Sequence, residues 1–347
     1  MDSLLKHMVV MTAHRDHAML DISVISAIQE LAAASYTRVL GLAPVRGQVF
    51  VRPRAVISGA AAARMEENPD PAAAGEPLEA YPALAACIQT HAPSAEVLGA
   101  DGKHTLWLPI WIGDSVNSCL EIVRAAPFDG AVLQVIAGVV SVYRNFQNLL
   151  DYSERDSLTG LLNRKTFDDQ LAKMLQVSSD YEAMRAPVIE ERRHHTETEK
   201  QWLAVIDVDH FKLVNDKFGH LYGDEVLILI ANLLQSSFRS QDRVFRFGGE
   251  EFVVLLRSTT LANAYKIIER FRTNVEGHDF PQVGRVTVSV GFVSISALEA
   301  PVIILGRADQ ALYYAKSHGR NMACHYDELV SGGLLHTIES NDTAEFF

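Results

Sequence analysis

Two acidic side chains directly follow two glycines at Gly248-Gly249-Glu250-Glu251. The glycines permit positive φ and let a ligand approach the backbone closely. Adjacent carboxylates on a tight turn repel one another, and a bound cation would relieve that repulsion. A second acidic cluster, Asp207-Val208-Asp209, closes a short apolar run that begins at Trp202. If the strand continues, residues 207 and 209 point to the same side. An aspartate at a strand end is, by itself, most often a turn or helix cap. Its company here points further: Phe211-Lys212, Asn215-Asp216, Gly219-His220 and Gly223-Asp224 follow in order. Such a set can hold Mg²⁺ and a polyphosphate. Hard cations take carboxylate and phosphate oxygens, and backbone amides after a strand cradle phosphates. A third cluster, Lys316 with Gly319-Arg320-Asn321, sets two cations four residues apart after a helix. They suit phosphates, although taken alone they are ordinary helix C-terminal charge.

These groups need a frame to bring them together. Apolar runs and alternation predict strands over 202–207, 243–247, 252–256 and 285–293. Helical spacing predicts helices over 223–238, 261–275 and 301–317, the first with Val226, Leu227, Ile230, Leu233 and Leu234 on one face. The expected fold class is α/β (α+β), a mixed sheet flanked by helices over 156–326, with residues 327–347 as a tail. The charged stretch 177–200 is expected to decorate its surface.

Upstream, a helix is expected over 21–35 and strands over 37–42, 47–57, 105–112 and 117–125. Gly113-Asp114 has the composition of a hairpin turn. The Ala-, Pro- and Glu-rich segment 62–80 reads as a long loop. This is a compact sensor-type module over 1–130, followed by a signalling and dimerisation helix over 131–155. Val132, Ile136, Val139, Val140, Tyr143, Phe146, Leu149 and Leu150 form one apolar stripe on that helix. Its first half suits packing on its own domain or a coiled coil equally well, and its far end, 141–153, is expected to pair between subunits.

Composition removes several classes. With 31 basic and 43 acidic residues the chain carries a formal net charge of −12. Sequence-blind binding to nucleic acid or anionic lipid needs clustered cations, so neither partner is expected. The three cysteines, Cys87, Cys119 and Cys324, form no C-x-x-C pair, which argues against a disulfide framework or a thiolate zinc site. The N-terminus lacks the pattern of a signal peptide. Segment 131–150 is too polar to span a bilayer, so a cytoplasmic protein is expected.

At this point the sequence resembles the GGDEF family of diguanylate cyclases in its GGEEF form. Besides Gly248–Phe252, it carries Asp156-Ser157-Leu158-Thr159-Gly160-Leu161-Leu162-Asn163-Arg164, similar to the family's D-x-L-T-G-L-x-N-R opening. It also has D-x-D-x-F-K-x-x-N-D at 207–216, G-H-x-x-G-D at 219–224, Arg246, and Ala315-Lys316 with Gly319-Arg320-Asn321. The resemblance covers most of 153–326. It implies a palm-like domain in which two facing subunits condense two GTP into cyclic di-GMP, releasing two pyrophosphates. It further implies two Mg²⁺ (or Mn²⁺) per active site, held by Asp207, the Val208 carbonyl and Glu250. Glu250 and Lys212 would be catalytic. Asn215, Asp224 and His220 would face the guanine nucleoside, and Phe211, Lys212, Lys316 and Arg320 the phosphates. A carboxylate at Asp224 can accept from guanine N1–H and N2–H₂, which adenine cannot offer. Glu251 is expected to support the metal site or only to shape the turn.

Arg239-Ser240-Gln241-Asp242 resembles the family's R-x-x-D inhibitory site for cyclic di-GMP, with Arg270 assisting from a neighbouring helix. The N-terminal element order and the run 108–121 look like a GAF-type sensor, with PAS as the alternative, and its ligand is unknown. His14, His17, Cys87 and Cys119 are expected to be structural. The rival function is a non-catalytic receptor for GTP or cyclic di-GMP. A second rival is an enzyme making a different cyclic dinucleotide, against which Asn215 and Asp224 favour guanine.

Overall fold

The computed structural model describes residues 2–45, 47–66, 75–112, 115–184, 199–239, 241–296 and 298–335. It divides into two compact units, Met1–Ser153 and Glu154–Phe347.

The first unit contains α1 (Asp2–Ala13), α2 (His17–Leu31), β1 (Tyr36–Val45), β2 (Gln48–Ser58), β3 (Arg64–Met65), β4 (Glu76–Pro77), α3 (Pro82–Gln89), β5 (Ala95–Leu98), β6 (His104–Ile112), β7 (Ser115–Arg124) and α4 (Gly130–Glu154). Its antiparallel sheet runs β3-β2-β1-β7-β6-β5, with β4 also on β2. One face, carrying Val39, Ile110, Leu120 and Ile122, packs against α1, α2 and α4. The other, carrying Leu40, Leu42, Val51 and Trp107, packs against Leu84 of α3. Helix α2 begins four residues before its expected start because the Asp16 side chain caps it, accepting from Ala18 and Met19 N–H. The segment 62–80, expected to be a loop, supplies β3 and β4 to the sheet edge. The expected turn at Gly113-Asp114 lies outside the described residues.

Helix α4 belongs to this unit's own core. Ile136, Val139, Tyr143 and Leu150 are all buried in it. Of the far end of the stripe, expected to pair between subunits, Tyr143 and Leu150 are buried inside the unit, while Leu149 is exposed. A polar cluster holds it there. Tyr143 Oη donates to Asp21 of α2, Gln147 Nε2 donates to Tyr143 Oη at 2.7 Å, and Arg54 of β2 lies 2.8 Å from the second Asp21 oxygen. Gly41 leaves room for Arg54, since a Cβ there would fall 2.9 Å from Arg54 Cδ.

The second unit contains β8 (Leu162–Asn163), α5 (Arg164–Met184), β9 (Lys200–Val208), α6 (Phe211–Phe218), α7 (His220–Ser237), β10 (Arg243–Gly248), β11 (Glu251–Thr259), α8 (Leu261–Gly277), β12 (Val288–Ser294), α9 (Pro301–Ser317), β13 (Ala323–His325) and α10 (Tyr326–Ser331). The mixed α/β class expected from the sequence is the one observed, with sheet order β13-β12-β9-β11-β10-β8. Strand β9 is central and antiparallel to both neighbours. It is buried on both faces, which is why it reads as a continuous apolar run. Ala204, Ile206 and Val208 face α6, α7 and α8. Leu203 and Val205 face the side covered by α5, α9 and α10. Gly291 sets the depth of α9: a Cβ there would lie 2.2 Å from Ala308 O and 2.2 Å from Leu312 N. Part of the stretch 177–200 extends α5 to Met184, and residues 185–198 lie outside the described ones.

Candidate active site

Strand β9 ends at Val208, beside the tip of the β10–β11 hairpin. Gly248 pairs with Glu251, leaving Gly249 and Glu250 as the turn, and Gly249 takes a φ of +49°. A side chain is disfavoured in that left-handed region, so glycine suits the position. Val208 N–H donates to the Glu250 carbonyl at 3.3 Å, which fastens the tip to the strand end. Arg246 fixes it from the other side. Its Nη2 donates to the Gly249 carbonyl at 2.8 Å and its Nη1 to Asp156 Oδ1 at 3.0 Å. Asp156 also accepts from the backbone and hydroxyl of Thr159. Burial raises the Asp156 carboxyl, but the Thr159 and Arg246 hydrogen bonds outweigh it and hold the group below its usual range. The opening motif is thus a brace for the hairpin.

Asp207 is the centre of the site. It lies opposite Glu251 on β11 and Ser289 on β12. Its side chain is only 6% exposed, and Lys316 Nζ of α9 sits 2.7 Å from its Oδ2. Burial drives its carboxyl upward, Lys316 draws it down, and Glu250 and Glu251 push it up again, to about 6. Asp309, two turns before Lys316 on α9, is likewise raised to about 6, by burial and then by Glu251. The sequence reading missed Asp309; its seven-residue spacing from Lys316 on one helix was the available signal.

Asp209 does not join this cluster. The strand stops at Val208, and the Asp209 carboxylate is buried where Thr287 Oγ1, Ser289 Oγ and Asn321 N donate to it at 2.7, 2.6 and 3.0 Å. It anchors the turn 319–321, in which Arg320 and Asn321 have φ of 63° and 47°. Asn321 is held further by Arg272 and Glu276. Asp209 thereby positions the turn that carries Arg320.

The other expected residues fall around the corner between α6 and α7. Phe211 is buried, while Lys212 and His220 are exposed. Asn215 lies against Gly223, where a Cβ would come 2.0 Å from its Oδ1. Gly223 therefore makes the space for Asn215, and Asp224, exposed, is the next residue. At the R-x-x-D sequence, Asp242 accepts from the backbone N–H of Arg239 at 3.0 Å and of Arg257 at 3.1 Å. Arg270 Nη2 donates to the Ser237 carbonyl at the end of α7.

The donor set fits a divalent cation. Asp207 and Glu250 supply carboxylates, Val208 a backbone carbonyl, and the Lys316 ammonium already stands at Asp207 Oδ2 in the position of a cation. Oxygen ligands of this kind suit Mg²⁺ or Mn²⁺.

Residues 153–322 match the family model described as the diguanylate cyclase GGDEF domain. The second unit is a GGDEF domain. Among curated relatives, "Diguanylate cyclase DgcP" of Pseudomonas aeruginosa is 40% identical over 169 residues, covering 48% of this chain and 23% of that protein. "Response regulator PleD" of Caulobacter vibrioides is 38% identical over 184 residues, covering 51% and 37%. This chain thus spans less than half the length of these relatives. Among solved structures, the coiled coil and GGDEF domain of DgcB from Caulobacter crescentus in complex with c-di-GMP is 27% identical, covering 56% of this chain and 97% of that one, with a TM-score of 0.49. The active GGEEF domain of a diguanylate cyclase from Vibrio cholerae is 33% identical, covering 48% and 97%, with a TM-score of 0.40. Among the described residues of this GGDEF protein, no helix is long and apolar enough to cross a membrane.

Proposed function

We propose that the chain is a diguanylate cyclase that condenses two GTP into cyclic di-GMP and two pyrophosphates. The observation that carries this reading is the Asp207–Lys316 pair beside the braced Gly248–Glu251 tip. Two Mg²⁺ (or Mn²⁺) held by Asp207, the Val208 carbonyl and Glu250 would polarise the attacking hydroxyl and the leaving phosphate. Phosphoryl transfer of this kind depends on positioning and charge neutralisation more than on covalent help. Lys316, Arg320 and Lys212 hold the triphosphate, and Lys316 exchanges Asp207 for phosphate as substrate enters. Phe211 shapes the phosphate loop. Asn215 and Asp224 read the guanine edge, with His220 beside the ribose or base. Glu250 takes the proton of the 3′-hydroxyl as that oxygen bonds to the α-phosphorus, and pyrophosphate leaves with the electron pair of the broken P–O bond. Glu251 faces the same side as Asp207 and adds charge to the metal site.

Each domain acts on one GTP, so the product requires two domains face to face in a homodimer. Arg239, Asp242 and Arg270 form the inhibitory site for cyclic di-GMP. Product bound there favours a non-productive pairing, and by linkage that pairing favours the product. Within unit 1, residues 1–130 form a GAF-like sensor domain, and α4 relays its state to domain 156–326; of the expected tail 327–347, residues 327–331 belong instead to α10, which packs Leu329 into the core. Three free, buried cysteines support a cytoplasmic location.

The test is incubation with Mg²⁺ and GTP, or GTP plus ATP, with products separated by chromatography. Cyclic di-GMP and pyrophosphate should appear at one to two, with specific activity rising with protein concentration. Glu250→Gln should lower the rate by at least about 100-fold. A wild-type protein that binds GTP without turnover would instead be a receptor.

A further inference from the structure

Unit 1 contains a cavity of about 310 Å³ between β6, Pro93-Ser94 and the flank of α4. That volume lies at the lower end of small-molecule sites, about 300–1,000 Å³. Its walls are mainly apolar, from Leu108 and Ile110 on β6 and from Leu133, Ile136 and Val140 on α4. Trp111 and Arg144 also line it. Trp111 Nε1 is shielded from solvent and has no acceptor among the described residues. Its indole is held there by a register shift between Ile110 and Trp111 and by stacking on His91, with centroids 4.6 Å apart. Arg144 of α4 also lines the cavity and has no ion-pair partner among the described residues.

We propose that this cavity is a binding site for a small amphipathic acid. Its apolar body fills the space between β6 and α4, beside the Trp111 ring, and its anionic group pairs with Arg144. A helix of a second copy fits less well. Its backbone carbonyls are already bonded internally, so an apolar helix face would leave the Arg144 guanidinium unmet. The site lies on the helix that ends at Glu154, where the GGDEF domain begins. Occupancy is thus felt by the segment leading into that domain. The inference does not depend on catalysis in the second unit.

The test uses the full chain and two probes of equal apolar length, octanoate and 1-octanol. The indole N–H signals of Trp107, Trp111 and Trp202 are followed by NMR, with Trp111→Phe assigning the relevant one. Octanoate should shift the Trp111 signal saturably. Arg144→Met keeps the apolar stem but should weaken octanoate about tenfold or more, leaving octanol within about twofold. Ala137→Phe, which fills the mouth, should abolish both shifts, and unchanged Trp107 and Trp202 signals report that its fold is intact. The proposal is overturned if no saturable shift occurs, or if Arg144→Met binds octanoate like wild type. It also fails if the Trp111 signal follows protein concentration rather than octanoate, which would mean that a second copy occupies the cavity.

Discussion

The buried carboxylate of Asp207 should make the metal-free GGDEF domain sensitive to pH, and Asp207→Asn measures by how much. The group is raised from 3.8 to about 6, chiefly by burial. The folded state therefore binds this proton more tightly than the unfolded chain does. The resulting stability is fully present below about pH 4 and is lost as the pH rises through about 6. Two units at about 1.4 kcal/mol each come to ~3 kcal/mol. With the side chain only 6% exposed, solvent screening removes little of this. Asparagine has the same shape and no charge, so it escapes the penalty. In EDTA, the variant should match wild type near pH 4 and exceed it by ~3 kcal/mol near pH 7, or roughly 6–12 °C in the transition of the second unit. Differential scanning calorimetry of the full chain reads both limits. Adding Mg²⁺ at pH 7.5 should stabilise wild type and leave the variant unmoved. If the two transitions keep one separation from pH 4 to pH 7.5, no buried charge is held at Asp207 and the cation-site reasoning fails.

Three further outcomes follow from the packing around the site. Gly291→Ala should cost at least about 1–3 kcal/mol of stability and so lower the urea midpoint, because its Cβ would meet the α9 backbone at 2.2 Å; an unchanged midpoint would mean that α9 is not seated so closely. Arg246→Met releases the Gly249 carbonyl and Asp156 together. Steady-state GTP turnover should show kcat falling about 100-fold with little change in KM, whereas a wild-type kcat would remove the brace from the mechanism. Asp209→Asn presents an N–H where three donors converge. It should cost ~1–3 kcal/mol and raise KM for GTP through the displaced Arg320 turn; wild-type GTP binding in this variant would contradict that role.

The sequence made some parts of this architecture plain and hid others for physical reasons. Helix α9 was legible to the residue, since Pro301 opens it and a glycine follows its end. Strands β9 and β11 stood out because the sheet buries them on both faces. Helix α6 escaped notice: its eight residues bury only Phe211 and Val214, too short a pattern to show a period. Helices α1 and α3 and strand β5 were missed for similar brevity or weak patterning. The motif residues could be named in advance, but not the division of labour between two neighbouring aspartates. Asp207 and Asp209 look equivalent in the chain, and only partners 78 to 112 positions away separate them. The apolar stripe of α4 was visible, yet periodicity cannot say which surface a stripe covers, and here Tyr143 turns inward to Asp21.

The bond from Asn321 N–H to Asp209 spans 112 residues. During synthesis, the strand carrying Asp207 leaves the ribosome long before the turn that completes its surroundings. Without Asn321, the Asp209 carboxylate lacks one of its three donors. The turn that carries Arg320 is thereby seated only once nearly all of the GGDEF domain is present.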